Sequence, residues 1–360
     1  MGNENGTRLW GVLMTKQGWT ATVSTALFVA LIGMISFIPV PFVSWTPGEA
    51  INLLGTAQAP VLRISGASTY PTTGQLQLTT VAVTSQDAHM SLPQAFLAYV
   101  LPTQTVLPRE VVYPIGRPST QQQANDDQQM VTSQRDAVVA ALVEAGIPVT
   151  PLPLVTQVSS SGPAYGKVEI GDLVSSVNGS VVSRRAEVLT VLEQVEPGTV
   201  VRLGLIRQNR QMEVSITTVA SQDDPKVAKL GLDVANSYQH SVNVEFDLDN
   251  DVVGPSGGLA FALALYDQLT PGSLVEGRNL AATGVISASG EVGSIGALRQ
   301  KVRSAERSGA DTMLVPASNC ADIEGFRTSM SIVKTTTLGE AITSLELLKD
   351  PSTAGQVPRC

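Results

Sequence analysis

Residues 251–268 read DVVGPSGGLAFALALYDQ, and this stretch decides much of what the rest of the chain must be. A glycine-rich turn carrying one serine, Ser256, runs directly into an almost uninterrupted apolar segment. Apolar residues around most of the helix circumference indicate a buried helix, which Pro271-Gly272 then ends. The turn is therefore either the cap of a buried helix or the position of a nucleophile, and the residues around it have to distinguish the two.

A serine hydroxyl needs a base before it can attack an amide, and the chain contains only two histidines, His89 and His240. Neither has an evident aspartate partner, so a Ser-His-Asp triad is disfavoured. Lysine is the other base that burial can bring towards neutrality. On a helical wheel of GALRQKVRSAERSG, Lys301 lies about 60° from Leu298, on the inner side.

The same wheel predicts which side chains of that helix face solvent. The outward set consists of Arg299, Gln300, Arg303, Glu306 and Arg307. An inward lysine has its charged form disfavoured by desolvation, which is the condition that a general base requires. The competing interpretation is a lysine that extends from the rim of an apolar face into water.

Three separated motifs then carry a resemblance. They are GPSGG at 254–258, ATG at 282–284 and GSIGALRQK at 293–301, and they resemble the three signatures of the Lon protease catalytic domain in order and spacing. The match covers about residues 227–349. It implies a Lon-like serine endopeptidase with an α/β proteolytic domain, and it decides between the two interpretations of the turn.

The resemblance assigns roles to particular residues. Ser256 falls on the nucleophile and Lys301 on the general base, while Thr283 falls on the threonine that helps to hold that lysine. Gly257 and Gly258 are expected to let a substrate carbonyl approach the first N–H groups of the helix, where an oxyanion is stabilised. The family carries other residues where this chain has Val253 and Val285, which leaves the tuning of the site open.

A second resemblance covers about seventy residues in the middle of the chain. Gly171-Asp172-Leu173-Val174, followed by Val177-Asn178-Gly179, is similar to the GDxIxxVNG signature of bacterial PDZ domains. The order of a strand, a short strand, a helix near 184–194 and a hairpin agrees with it. PDZ domains take up an extended peptide as an added strand, but the sequence does not identify the loop that would hold a terminal carboxylate.

Residues 20–44 contain no charged side chain and are long enough to span a bilayer. Trp19 and Trp45 bracket the segment, and Arg8 and Lys16 precede it, so the positive-inside rule places the N-terminus in the cytoplasm and the remainder outside. No Ala-x-Ala site closes the apolar segment, which favours an uncleaved anchor over a signal peptide. The whole chain thus resembles the membrane-anchored PDZ–Lon-like proteases of Gram-positive bacteria.

The fold class predicted from these patterns is α+β. It comprises a cytoplasmic tail (1–18), a transmembrane anchor (19–45), an extracytoplasmic segment that either forms its own domain or adds strands to the catalytic sheet (46–129), a PDZ domain with a preceding helix (130–220), the Lon-like domain (227–349) and a C-terminal tail (350–360). Residues 119–129 are expected to form an exposed connection, and Ser133 to cap the following helix, which Gly146 ends.

The composition of the chain argues against several classes of partner and cofactor. The formal net charge of −8 argues against nucleic acid, and two histidines and two cysteines exclude most zinc sites, so no metal or cofactor is expected. The stretch GPAYGKV falls short of a phosphate loop, so no ATP is expected either. Cys320 and Cys360 are able to pair in an oxidising compartment, although a small buried thiol is the first expectation for Cys320.

The expected partners are protein or peptide substrates and the membrane, and the ring assembly of Lon domains leaves homo-oligomerisation open. Two other functions also stay open. One is a serine–lysine peptidase of the C-terminal processing type, and the other is an anchored PDZ scaffold whose last domain is inactive.

Overall fold

A computed structural model describes residues 16–55, 60–101, 103–113, 119–208, 210–222, 224–249 and 252–360. The predicted cytoplasmic tail falls almost entirely outside the described residues. The first part of the chain contains α1 (Lys16–Ser36), β1 (Pro39–Val40), β2 (Phe42–Asn52), β3 (Leu62–Ser65), β4 (Gln75–Val83), β5 (Met90–Ser91), α2 (Leu92–Val100), β6 (Thr105–Pro108), α3 (Arg109–Val112) and α4 (Ser119–Glu144).

The middle part is mostly β structure, and the last part alternates strands and helices. The middle part contains β7 (Thr150–Val158), β8 (Leu173–Val177), β9 (Ser180–Val181), α5 (Arg185–Glu193), β10 (Val200–Arg207), β11 (Arg210–Thr217), β12 (Val219–Ala220), β13 (Ala228–Lys229) and β14 (Leu232–Gln239). The last part contains β15 (Asn243–Phe246), α6 (Gly258–Leu269), β16 (Asn279–Ala282), β17 (Val285–Ile286), β18 (Val292–Gly293), α7 (Leu298–Arg307), β19 (Thr312–Pro316), β20 (Ser331–Thr335) and α8 (Leu338–Leu347).

The mixed sheet has six strands in the order β20-β19-β16-β4-β2-β6. Its first four strands are parallel, whereas β2 runs antiparallel to both β4 and β6. Strands from residues 42–108 and strands from residues 279–335 therefore share one sheet, so the segment that follows α1 adds strands to the sheet of the last part of the chain. The mixed α/β architecture confirms the predicted fold class.

Successive side chains along a strand point to opposite faces of the sheet, so alternate residues of the parallel strands belong to two separate hydrophobic cores. Ala282 and Leu314 point into a core shared with α4, α6 and α8. Ala281 and Met313 point the other way, into a core shared with α7. The sheet is thus the middle of three layers, and it separates the helix that follows Ser256 from the helix that carries Lys301.

The antiparallel sheet also has six strands, five in the order β11-β10-β8-β7-β14 and β9 paired to β8. Its own core is rich in valine and includes Val174, Val188 and Val201. The predicted sequence of strand, short strand, helix and hairpin is confirmed, and this PDZ-like module lies in the chain between α4 and β15.

Three element boundaries differ from the predictions. Helix α4 already begins at Ser119, because residues 119–144 contain neither glycine nor proline, and it packs on α6 and α8 instead of on the PDZ-like module. Ser133 is consequently a buried residue in the middle of this helix, not its N-cap. Strand β14 pairs along its length with β7, so it belongs to the PDZ-like sheet although the third region was predicted to begin at 227.

The N-terminal apolar helix is shorter than the anchor predicted at residues 19–45. The apolar helix that is long enough to cross a membrane spans Gly18–Ser36, and Pro39 and Pro41 stand where a helix could not continue. Trp45 therefore lies on β2 within the mixed sheet, and it does not mark the end of the apolar helix. One N-terminal apolar helix of this kind is either a membrane anchor or a signal sequence.

The C-terminal segment is also built into the fold. Cys320 and Cys360 form a disulfide, contrary to the first expectation of a free buried thiol. The Cys360 N–H donates to the Ile332 carbonyl, and Val333 bridges antiparallel to Arg359. Residues at the end of the chain thus cover the outer edge of β20.

Candidate active site

The turn before α6 has a backbone that explains its sequence. Gly254 has φ of 89°, a left-handed conformation that glycine adopts without a steric penalty. Pro255–Gly257 then forms a single 3₁₀ turn that continues into α6. Ser256 consequently sits at the head of a fully buried helix, on the edge of the cavity described below.

The two glycines after Ser256 are required by packing. A Cβ on Gly257 would lie 2.7 Å from Leu78 Cδ1, and one on Gly258 would lie 2.8 Å from Ser133 Oγ. The Gly258 N–H already donates to the Pro255 carbonyl. The faces on which a side chain would stand therefore meet the protein interior, while Gly257 also lines the cavity described below.

Hydrogen bonds from two other elements fix the turn. Ser133 Oγ of α4 donates to the Pro255 carbonyl at 2.9 Å. The Ser256 carbonyl accepts from Thr283 Oγ1 at 3.1 Å and from the Gly284 N–H at 2.9 Å. Thr283, which was predicted to hold the lysine, therefore holds the backbone of the serine. Ser133 was not predicted at the site because its distance along the chain hides this contact.

Lys301 reaches the serine from the opposite side of the sheet layer. Its Nζ lies 3.0 Å from Ser256 Oγ and donates to the Thr79 carbonyl at 2.9 Å. The residue is only 5% exposed, and burial lowers the pKa of the amine to about 8. Among the described residues no carboxylate lies within ion-pair distance of this nitrogen. The lysine is therefore buried without a counter-charge.

Helix α7 presents Lys301 through its amphipathic face. Leu298, Val302 and Ala305 are buried, as predicted. Gln300 was predicted to face solvent, but it is buried as well because its side-chain amide donates to Thr105 Oγ1 on β6. The helix begins after Ala297, which has a left-handed φ of 57°.

A cavity of about 260 Å³ opens beside the two reactive groups. Its walls are mainly apolar and include Trp45, Leu78, Val81, Met130 and Val252. Among the described residues, Trp45 Nε1 and Thr79 Oγ1 are buried without a hydrogen-bond partner. Neither residue was predicted to lie at the site. The only signal in the sequence is the pair of prolines before β2, which indicates that the apolar helix ends well before Trp45.

The remaining candidates lie elsewhere or are absent. The ring of His240 bonds the Val242 carbonyl through Nδ1 at 2.8 Å, and within the described ranges no histidine hydrogen-bonds to Ser256. In that same part of the chain, no group of three or more His, Cys, Asp or Glu side chains is arranged to hold a metal ion. Val253 lines the cavity, whereas Val285 lies on the other side of Pro255.

The PDZ-like module contains a second concavity, of about 550 Å³, between α5 and the edge strand β14. Leu189 and Leu192 line it from the helix, and Leu230, Gly231 and Leu232 line it from the strand side. Gly231 has a positive φ of 73°. The sequence did not single out the segment around Leu230 and Gly231.

A serine hydroxyl beside a buried amine of lowered pKa is an arrangement that hydrolases with lysine as a base also have. The comparisons support the broader class of serine peptidases. Residues 161–346, more than half of the chain, match the sequence model of the Lon protease (S16) C-terminal proteolytic domain, and the chain belongs to that family.

Individual relatives give the extent of the similarity. Lon protease 1 of Myxococcus xanthus is 28% identical over 202 residues, which are 54% of this chain and 24% of the relative. Lon protease of Vibrio parahaemolyticus is 30% identical over 169 residues, 44% of this chain and 20% of the relative. The chain thus spans about a fifth to a quarter of the length of these curated relatives.

Among solved structures, the PDZ domain of the SdrC-like protein from Listeria monocytogenes is similar to part of the chain at 17% identity. The similarity extends over 23% of this chain and 85% of that domain, with a TM-score of 0.22.

Proposed function

We propose that the chain is a membrane-anchored serine endopeptidase in which Ser256 is the nucleophile and Lys301 the general base. The observation that carries the proposal is the 3.0 Å separation of Lys301 Nζ and Ser256 Oγ, at an amine whose pKa is lowered by burial to about 8. Family membership supports a serine peptidase, and the geometry of these two side chains supports the dyad.

The proposed reaction begins with Lys301 in its neutral form. The Thr79 carbonyl accepts one N–H and thereby orients the nitrogen lone pair towards the serine hydroxyl. As Ser256 Oγ attacks the peptide carbonyl, its proton passes to Nζ. The lysine then gives this proton to the leaving amine, and a water molecule hydrolyses the acyl-enzyme through the same base.

The positive end of α6 is the proposed source of oxyanion stabilisation. Twelve residues of aligned peptide dipoles begin just behind Ser256. Because the Gly258 N–H donates to the Pro255 carbonyl, we assign the contribution of this segment to the helix end as a whole and not to that donor.

Substrates are proposed to be peptides or unfolded protein segments, cleaved without ATP. The 360 residues contain no nucleotide-binding motif, so nothing in them would unfold a stable substrate. The groove between α5 and β14 is the proposed recruitment site, because an edge strand beside a helix accepts an extended peptide as an additional strand.

The catalytic domain is proposed to lie outside the cytoplasm. The apolar helix at Gly18–Ser36 supplies the anchor, and basic residues precede it in the sequence. The disulfide between Cys320 and Cys360 supports the same orientation, since such bonds persist in oxidising compartments.

A fluorophosphonate probe applied to the purified full chain tests the proposal. We expect covalent labelling at Ser256, its loss in Ser256→Ala and Lys301→Ala, and no change in Lys334→Ala, whose lysine is exposed on the far edge of the sheet. Labelling and peptide cleavage that survive in Lys301→Ala would refute the dyad. A chain that is folded but never labelled would instead favour the inactive scaffold.

A further inference from the structure

The short helix α2 has its large apolar side chains on the wrong side for a soluble protein. Leu92, Phe96, Tyr99 and Val100 fall within about 100° of one another on a helical wheel. All four are exposed, Phe96 to 69% and Tyr99 to 79%. The residue of this helix that is buried against the protein is the small Ala98. An exposed apolar face of this kind needs a cover.

The position of α2 in the fold indicates what covers its exposed apolar face. Strand β5, which leads directly into α2, pairs with β1 through Pro39↔Ser91 and Val40↔Met90. Strand β1 begins three residues after the apolar helix α1 ends at Ser36, and α2 also contacts α1 itself. The apolar face of α2 is therefore held beside the end of the proposed membrane span, where Phe37 is exposed as well.

The charge pattern is that of a membrane interface. From Met90 to Pro108 the sequence contains no Asp, Glu, Lys or Arg. Aromatic rings such as those of Phe96 and Tyr99, on a helix next to the end of a span, suit the boundary between head groups and acyl chains.

We infer that α2 lies in the interface of the lipid bilayer and is a second membrane contact of the catalytic domain, in addition to the anchor. This inference rests on the proposed anchoring of the chain. A lipid surface fits better than a second protein. The face is part of a helix about 14 Å long, far smaller than the ~800 Å² per partner of a stable protein interface, and it continues the surface of the span.

Two points of attachment to the membrane would restrict which substrates can reach the site. A single anchor followed by a flexible connection would let the domain turn freely, whereas a docked α2 fixes its orientation. Trp45, which lines the cavity beside Ser256, is nine residues from the end of α1, and a chain of that length reaches at most about 30 Å. The site is thus held close to the bilayer, in reach of membrane-proximal segments of other proteins.

Photo-crosslinking of the full chain in lipid nanodiscs tests the inference. A benzophenone amino acid replaces Phe96 or Tyr99 on α2, Phe28 on the proposed anchor, or Tyr165, an exposed aromatic residue of the PDZ-like module. After irradiation, mass spectrometry identifies adducts with phospholipid. We expect lipid adducts at Phe28, Phe96 and Tyr99 and none at Tyr165, with Ser256 still labelled by the fluorophosphonate in every variant.

The positions separate the possible failures. Lipid adducts at Phe28, with only protein adducts or none at both Phe96 and Tyr99, would overturn the inference and leave the anchor in place. An absence of lipid adducts at Phe28 would remove the anchor on which the inference rests. Adducts at Tyr165 equal to those at Phe96 would show unspecific contact with lipid and would also overturn it.

Discussion

Two buried charges, one in each half of the molecule, are treated in opposite ways. Asp172 in the PDZ-like module is 1% exposed and receives two hydrogen bonds of 2.7 Å from the guanidinium of Arg207. Lys301 in the Lon-type domain is almost as buried and has no acidic partner among the residues that the structure describes. The first arrangement keeps its charge, whereas the second is driven towards neutrality.

The pKa shifts of the two groups follow from their partners. Burial alone would raise the pKa of Asp172, but hydrogen bonds from Arg207 and the Glu169 N–H hold it below its ordinary value. Nothing opposes burial at Lys301, and its pKa falls to about 8. A paired buried charge thus contributes to stability, and an unpaired one becomes a base at the expense of stability.

The largest effect is expected when the unpaired amine is removed. Lys301→Met should lower peptide cleavage by roughly three orders of magnitude or more, because the base is lost. At pH 7 the free energy of unfolding should rise by about 1–2 kcal/mol, since an uncompensated buried amine is replaced by a side chain of similar length. Lys334→Met serves as the control and should change neither quantity. A destabilised or fully active Lys301→Met would break the comparison.

The sign of this effect defines a pH window. The folded-state pKa of Lys301 lies below its ordinary value, so the unfolded chain binds more protons between about pH 8 and 10. The wild-type stability should therefore rise with pH in this window, and the advantage of Lys301→Met should shrink there. Urea denaturation of both proteins at several pH values measures the difference.

Breaking the paired charge should have the next largest effect. Arg207→Ala leaves Asp172 buried without compensation and should reduce the stability of the PDZ-like module by about 3 kcal/mol. Glu169→Ala removes a partner that is 68% exposed, and it should cost less than about 1 kcal/mol. Both variants should still cleave a short peptide. Equal losses in denaturant midpoint would contradict the role assigned to burial.

Asp267 is a third buried ionisable group, and it extends the comparison because only part of its carboxylate is hydrogen-bonded. Burial raises the pKa of this carboxyl to about 6 against the backbone N–H groups of Leu274 and Val275. The folded state thus binds the extra proton, and stability should fall as pH rises from about 4 to 6.

Asp267→Asn should remove this pH dependence. At pH 7 the variant should be about 2 kcal/mol more stable than the wild type, and near pH 4 the two should converge. The amide oxygen can still accept from the Leu274 N–H. Thermal denaturation at both pH values makes the comparison, and a variant that is less stable at pH 7 would contradict the assignment.

The smallest effect is expected at the start of α7. Ala297 adopts a left-handed backbone, which costs an L-residue about 1–2 kcal/mol, whereas glycine adopts it freely. Because glycine also increases the entropy of the unfolded chain, Ala297→Gly should stabilise the protein by only about 0.5 kcal/mol. The position of Lys301, one turn later, should not change, so cleavage should be unaffected. A clear destabilisation would mean that the backbone is not strained.

The three Lon-like motifs predicted the pair of Ser256 and Lys301, and a local signal supports each member. The turn around Ser256 needs a left-handed glycine, and the apolar period of α7 turns Lys301 inward. Both signals lie within a few residues of the group that they position. The same locality explains why the order of elements in the PDZ-like module was predictable.

Contacts between distant segments left no such signal. Thr79, whose carbonyl accepts from Lys301, is 222 positions away from it in the sequence. Ser133 is 122 positions from Pro255, and its place in a polar helix suggested a cap. Gln300 appears solvent-facing on a wheel until β6 packs against it. The contacts of these residues arise because strands from both ends of the chain join one sheet, and no local sequence pattern predicts that arrangement.

The most direct test of the central claim is the pH dependence of fluorophosphonate labelling at Ser256 in the full chain. If unpaired burial makes Lys301 the base, the second-order labelling rate should rise with pH and level off around a midpoint of about 8. The chemical stability of the probe over the same range is checked with an unrelated serine hydrolase. A midpoint near the ordinary lysine pKa, or a rate that does not depend on pH, would contradict the account.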